Sequence, residues 1–85
     1  MKSENFKDEI SRLLKEAIKQ GLPFIDIISG DVHRNVGGYP SKNHSMPVCC
    51  DVMYSMKRFE DVVLHSPIKG KGATLKLRYY LSLLI

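Results

Sequence analysis

The sequence predicts an α+β fold in which three helices are followed by a C-terminal β-hairpin, all within one domain over residues 1–85. Apolar residues recur with a helical period in the first two thirds of the chain and with a period of two after residue 61. Glycine and proline separate these segments. A chain of 85 residues has room for one modest core, so its stability is expected to be marginal.

The first helix is predicted over about residues 4–20. Ser3 or Asn5 can cap its start, and Gly21 suits the left-handed position past its end. Its other face mixes acids with cations, which indicates a scaffold rather than a surface that faces DNA. The apolar stripe recurs at helical spacing and consists of Phe6, Ile10, Leu13, Leu14, Ala17 and Ile18.

A helix-turn-helix segment is predicted over about residues 29–58. The apolar, β-branched run 24–28 before it is either a brief strand or the start of a buried turn. Ser29 is expected to cap the second helix, which Gly37 and Gly38 end. After a turn over residues 37–43, the third helix begins near Ser45 with Pro47 in its first turn.

The third helix divides into two faces. Five residues form the predicted buried face: Val48, Cys49, Val52, Met53 and Met56. The other face is expected at or near the surface, where its polar, aromatic and basic groups could meet base edges or phosphates. It consists of Cys50, Asp51, Tyr54, Ser55, Lys57 and Arg58.

A β-hairpin is predicted over about residues 61–80. In its first strand Val62 and Leu64 alternate with Val63 and His65, and a glycine-containing loop follows at 67–72. Residues 73–80 alternate again, with Leu75, Leu77 and Tyr79 directed to the core. The apolar residues 81–85 are expected to pack on the first helix or on a second subunit.

The positive charge is concentrated at the C-terminal end. Residues 1–28 carry five Lys and Arg against five Asp and Glu. Residues 62–85 carry no acid, and they account for the net charge of +4. A one-sided basic segment attracts a polyanion, although a solvated hairpin tip has the same composition. Its cations are Lys69, Lys71, Lys76 and Arg78.

This order of helix, short strand, two helices and a hairpin with a Gly/Lys loop resembles the winged helix-turn-helix DNA-binding family over about residues 5–81. The resemblance implies that the third helix lies in the major groove and that the loop, the wing, touches the minor groove or the backbone. Asp51 departs from the pattern because it repels phosphate unless it accepts from a cytosine amino group. The predicted DNA-binding residues are Arg34, Lys42, His44, Ser45, Asp51, Tyr54, Lys57, Arg58, Lys69, Lys71, Lys76 and Arg78.

Residues 29–34, 37–40, 46–47 and 49–50 also resemble small bacterial or phage-borne proteins, and that likeness implies no particular activity. The sequence predicts a non-catalytic double-stranded DNA binder without cofactor or metal, in transcription regulation or a mobile-element or restriction-type system. A protein-interaction module that docks by the third helix or the apolar tail is the alternative. A homodimer or a larger protein partner is compatible with both interpretations.

Other chemistry is weakly indicated. Imidazole and thiolate are zinc ligands, but His33, His44, Cys49 and Cys50 lack the spacing of a zinc knuckle. A Cys-His nucleophile pair is conceivable, with Asp31 or Asp51 to orient the base. The polar N-terminus is unlike a secretory signal, no apolar run could span a bilayer, and adjacent cysteines suit a reducing compartment, so a cytoplasmic location is expected.

Overall fold

The computed structural model of the chain describes residues 3–37 and 45–81. It confirms the α+β class, with three helices and one three-stranded antiparallel sheet. The elements in chain order are α1 (Ser3–Lys19), β1 (Phe24–Ile28), α2 (Ser29–Val36), α3 (Met46–Met56), β2 (Val62–His65) and β3 (Lys76–Tyr80).

The sheet has the order β1-β3-β2, so the last strand of the chain lies in the middle. The strand alternative for residues 24–28 is therefore correct, and β1 pairs with β3 along its whole length. The helices cover one face of the sheet. The core between the two layers is formed mainly by Phe6, Ile10, Ile27, Val32, Met46, Cys49, Cys50, Met53, Leu75, Leu77 and Tyr79.

The first helix follows its predicted stripe. Phe6, Ile10 and Ala17 are buried, and Leu13 and Leu14 pack at the edge of the core. Gly21 adopts a positive φ of 75°, as predicted for the residue beyond a helix end. Asn5 lies inside the helix rather than at its cap, since α1 already includes Ser3.

The predicted capping role of Ser29 is wrong. Ile28 is the cap residue of α2, and the Ser29 hydroxyl donates a hydrogen bond to the carbonyl of Gly72 instead. The first amide groups of α2 donate to the chain before β3: Ser29 N to Leu75 O and Gly30 N to Ala73 O, both at 2.9 Å. The backbone carbonyls of Leu75 and Ala73 thus accept hydrogen bonds from the first amides of α2, as a capping side chain would.

The same contacts shorten the last strand. The alternating pattern predicts a strand from residue 73, whereas β3 begins at Lys76. The carbonyls of Ala73 and Leu75 accept from α2 and so do not join a strand ladder. The close approach also requires Gly30, because a Cβ there would lie 2.8 Å from the Ala73 oxygen.

The third helix has Pro47 in its first turn and buries Cys49, Val52 and Met53, as predicted. The expectation that Cys50 lies near the surface is wrong, because its side chain is fully buried. The chain around Gly72 crosses this side of α3, and the Cys50 thiol donates to the Gly72 carbonyl at 3.3 Å. The helical period depends only on the residues of α3, so it carries no information about a distant loop that covers the polar side of this helix.

The strand β2 lies where the sequence places it, but it has no buried face. All four of its residues are exposed, because β2 is an edge strand and its sequence alternation is broken by an irregularity between Val63 and His65. In β3, by contrast, half-buried residues alternate with buried ones, as predicted. Among the residues that the structure describes, no helix is long and apolar enough to cross a bilayer.

Candidate nucleic-acid interface

The loop between β2 and β3, residues 67–72, is anchored to α2 and α3 through its backbone; it is called the hairpin loop below. The Tyr54 hydroxyl donates to the Gly70 carbonyl at 2.9 Å. The Gly72 carbonyl accepts from both Ser29 and Cys50. A turn closes the loop, with Gly70 at a positive φ of 78° and its amide donating to the Pro67 carbonyl at 2.7 Å. The position of this loop relative to α3 is therefore fixed.

A side-chain contact joins the same two parts. The Lys71 ammonium lies 2.9 Å from the Asp51 carboxylate, and the two side chains are 49% and 55% exposed. The hydrogen bond to Asp51 raises the pKa of Lys71 above its ordinary value. Because both groups are half in water, this ion pair is easily exchanged for other partners.

An open groove of about 530 Å³ runs along the hairpin loop. Its polar lining consists of His65, Ser66, Lys69, Lys71 and Thr74, and the lining includes no acid. Within the described part of the chain Lys69 makes no ion pair, so its ammonium faces solvent. The groove can accept an anionic group with two lysines and two hydroxyls nearby.

The face that α3 presents to solvent is narrow and carries no cation. Pro47, Asp51 and Ser55 are its exposed residues, at a spacing of four. Tyr54 is half-buried because its hydroxyl holds the hairpin loop. Lys57, which follows the helix, donates to the carbonyl of Arg58 at 3.3 Å. The helix therefore offers an acid and small polar groups to a partner rather than a basic surface.

On the face of the sheet opposite the helices, Arg78 forms a two-pronged bond to Asp26 at 2.7 and 3.0 Å. Its guanidinium also lies 4.1 Å from the centre of the Phe24 ring. The bond lowers the pKa of Asp26 and raises that of Arg78. Arg78 is thus committed to the β1–β3 pair, whereas Lys76 beside it is half-buried on the same face.

Two further predicted site residues have structural partners. Arg58 donates to the Tyr80 carbonyl at 2.8 Å and pairs with Glu60 at 3.1 Å. Arg34 pairs with Asp31 at 3.0 Å within α2, so this contact does not set the angle between two helices. Both contacts leave each arginine in part accessible to an anion.

Ser45 belongs to a buried polar contact that the sequence did not predict. Its amide donates to the Nε2 atom of His33 at 2.9 Å, and the His33 ring is fully buried, 4.9 Å edge-on from the Phe6 ring. His33 therefore links the start of α3 to α2 and α1. The predicted residues Lys42 and His44 lie outside the described residues, as do Tyr39 and the tail beyond Leu81.

The cysteines are buried thiols. Burial raises the pKa of Cys49 to about 12 and raises that of Cys50 as well, which disfavours the thiolate that a nucleophile or metal ligand needs. Among residues 3–37 and 45–81, no cluster of three or more His, Cys, Asp or Glu side chains could hold a metal ion. The structure thus offers no support for the thiolate alternatives.

The loop anchor is the main feature that sequence reasoning missed. Gly30 and Ser29 were the available signal, since a Gly-Ser pair beside a strand end permits close backbone approach. The partner of Ser29 at Gly72 is 43 residues away in sequence, and a local period carries no information on such a contact. No protein-family model matches the chain, and no curated protein or solved structure matches it.

Proposed function

We propose that the chain is a winged helix-turn-helix module that binds double-stranded DNA without catalysis. The order of elements and the three-stranded sheet are compatible with that fold and support the proposal. The observation that carries the proposal is the acid-free groove along the hairpin loop, held beside α3 by Tyr54 and Gly72. A regulatory or mobile-element role is compatible with this activity.

In this mode of binding the hairpin loop holds a backbone phosphate and α3 approaches the adjacent groove of the duplex. Lys69 provides the accessible ammonium, and Lys71 provides a second one when it leaves Asp51. Arg78 contributes little, because Asp26 neutralises it. We therefore expect about two to four phosphate contacts, and a fall of affinity with salt whose logarithmic slope is about −2 to −4.

The test is fluorescence anisotropy of a labelled random-sequence duplex at several salt concentrations. We expect saturable binding by the full chain and a slope that becomes shallower by about 0.9 in Lys69→Gln. The matched control is Lys15→Gln, which removes the same charge from the exposed face of α1. Equal losses in the two variants, or no binding by the full chain at low salt, would contradict the proposal.

A second function is favoured by one observation, namely the apolar side chains exposed near β2. Phe59 and Ile68 are fully exposed, and Val62, Val63 and Leu64 are each about two fifths exposed. Together they suit a protein-interaction module, with β2 rather than α3 as the docking element. Pull-down of a partner that survives high salt and is lost in Phe59→Ser with Ile68→Ser would favour this function over DNA binding.

A further inference from the structure

Asp51 is an acid that opposes the proposed function at the contact between α3 and the hairpin loop, and this inference rests on that function. It is the acid on the exposed face of α3, and it lies against the loop lysine whose groove has no acid of its own. A phosphate that replaces this carboxylate at Lys71 leaves the carboxylate without its partner. The question is what the carboxylate then contacts.

We propose that Asp51 is a specificity-determining residue that exchanges partners when DNA binds. Without DNA it neutralises Lys71. In the complex Lys71 contacts a phosphate, and Asp51 accepts a hydrogen bond from the amino group of a cytosine in the major groove. At a site without a donor there, the carboxylate stays close to phosphate oxygens, which repel it.

The anchoring of the hairpin loop makes this exchange possible without a change in the backbone. The loop is held by the Tyr54 bond to Gly70 and by the Ser29 and Cys50 bonds to Gly72, none of which involves the ion pair. Only the side chains of Lys71 and Asp51 need to turn. Both are about half exposed, so the rotation meets little steric resistance.

The chain contains a matched ion pair for comparison. Asp31 and Arg34 on α2 lie 3.0 Å apart, and their side chains are 64% and 55% exposed. This pair resembles the Asp51–Lys71 pair in distance and exposure, but it is formed within one helix. Asp31→Asn therefore changes the net charge by the same amount as Asp51→Asn without touching the hairpin loop.

The experiment compares the full chain, Asp51→Asn and Asp31→Asn by selection from a randomised duplex library and by anisotropy on the selected and random duplexes. We expect the full chain to select sites with a cytosine at one position. Asp51→Asn should bind the random duplex more tightly, with a salt slope steeper by about 0.9. Its preference for cytosine should fall about tenfold, because the neutral amide is a weaker acceptor than the carboxylate and can also pair with adenine. Asp31→Asn releases Arg34 and can therefore also raise the affinity for DNA, but it should keep the base preference of the full chain.

The outcomes separate this inference from the proposed function. If the full chain binds DNA but Asp51→Asn retains its cytosine preference, the inference is wrong and DNA binding stands. An equal loss of cytosine preference in Asp31→Asn would also overturn it, because the loss would then not depend on the position of the carboxylate. If the full chain does not bind DNA, the proposed function and this inference both fail, even where Asp51→Asn binds.

Discussion

Both strands of the hairpin carry apolar side chains, but β3 buries them and β2 does not. In β3, Leu77 and Tyr79 are at most 2% exposed, while their neighbours Lys76, Arg78 and Tyr80 are half-buried. In β2, Val63 lies directly across from Leu77 and is still 36% exposed. The pattern of a strand thus indicates which side chains share a face, but the position in the sheet decides whether that face is covered.

Because of this difference, β3 contributes mainly to stability, whereas β2 is available for binding. Side chains of β3 are enclosed between the helices and two neighbouring strands, so they contribute to the core. Those of β2 lie at an edge that the described part of the chain leaves open to solvent. Apolar residues at such an edge are candidates for contact with another molecule.

The largest expected effect comes from truncation at the register pair. Leu77→Ala should lower the free energy of unfolding by about 2 to 5 kcal/mol, because a fully buried side chain leaves a cavity. Val63→Ala across from it should cost less than about 1 kcal/mol, since water already reaches that site. Urea denaturation followed by circular dichroism measures both. Similar losses would show that β2 is covered in solution.

A smaller effect is expected where a side chain of β3 donates a hydrogen bond to the last turn of α3. The Tyr79 hydroxyl donates to the Met53 carbonyl at 2.7 Å, and that carbonyl belongs to the last turn of α3, where helical partners are missing. Tyr79→Phe should lower the free energy of unfolding by about 1 to 2 kcal/mol in urea denaturation. Tyr54→Phe is the comparison, because it removes a part-buried hydroxyl bond on the outer side of the same helix and should therefore cost less stability than Tyr79→Phe. An unchanged stability in Tyr79→Phe would mean that water replaces the hydroxyl.

Local periodicity and punctuation predicted most of the fold. The stripe of α1, the burial of Leu75, Leu77 and Tyr79, and the place of Pro47 in the first turn of α3 all follow from spacing and backbone preference over a few residues. Each of these features depends on neighbours within one or two turns or on a strand's two-residue repeat. Such information is present in the sequence of each segment.

Three of the errors arise at one long-range contact. Ser29, Cys50 and the start of β3 were misassigned because residues 70–75 pack across the start of α2 and the side of α3. For the candidate site, sequence reasoning found the cations but not their partners. Asp51 neutralises Lys71 and Asp26 neutralises Arg78, and these pairs join residues 20 and 52 positions apart.

A pH effect tests how firmly β3 is joined to β1, its better-covered neighbour. The Arg78 bond lowers the pKa of Asp26, so the folded state binds this proton more weakly than the unfolded chain does. The stabilisation is then complete above the ordinary Asp pKa of about 4 and is lost as pH falls through the lower folded value. The free energy of unfolding, measured from pH 6 down to about pH 2.5, should therefore decrease once the pH is below about 4.

Asp26→Asn is the variant that checks this assignment. It should be less stable than the full chain at pH 6, and the difference should shrink towards acid pH, where Asp26 is protonated in both states. Glu9 gives a second, separate acid-side contribution because Arg12 also lowers its pKa. A difference between the two proteins that stays constant with pH would exclude Asp26 as a source of the acid sensitivity.

The smallest effect on stability is expected at the loop that joins the two strands. Asp51→Asn removes a half-exposed ion pair, and the hairpin loop keeps its backbone bonds to Tyr54, Ser29 and Cys50. Its urea midpoint should match that of the full chain, whereas Tyr54→Phe should lower it because the bond to Gly70 is lost. If Asp51→Asn is the less stable of the two, the ion pair and not the backbone bonds holds the loop. Altered DNA binding in that variant would then reflect a displaced loop rather than an exchange of partners at Lys71.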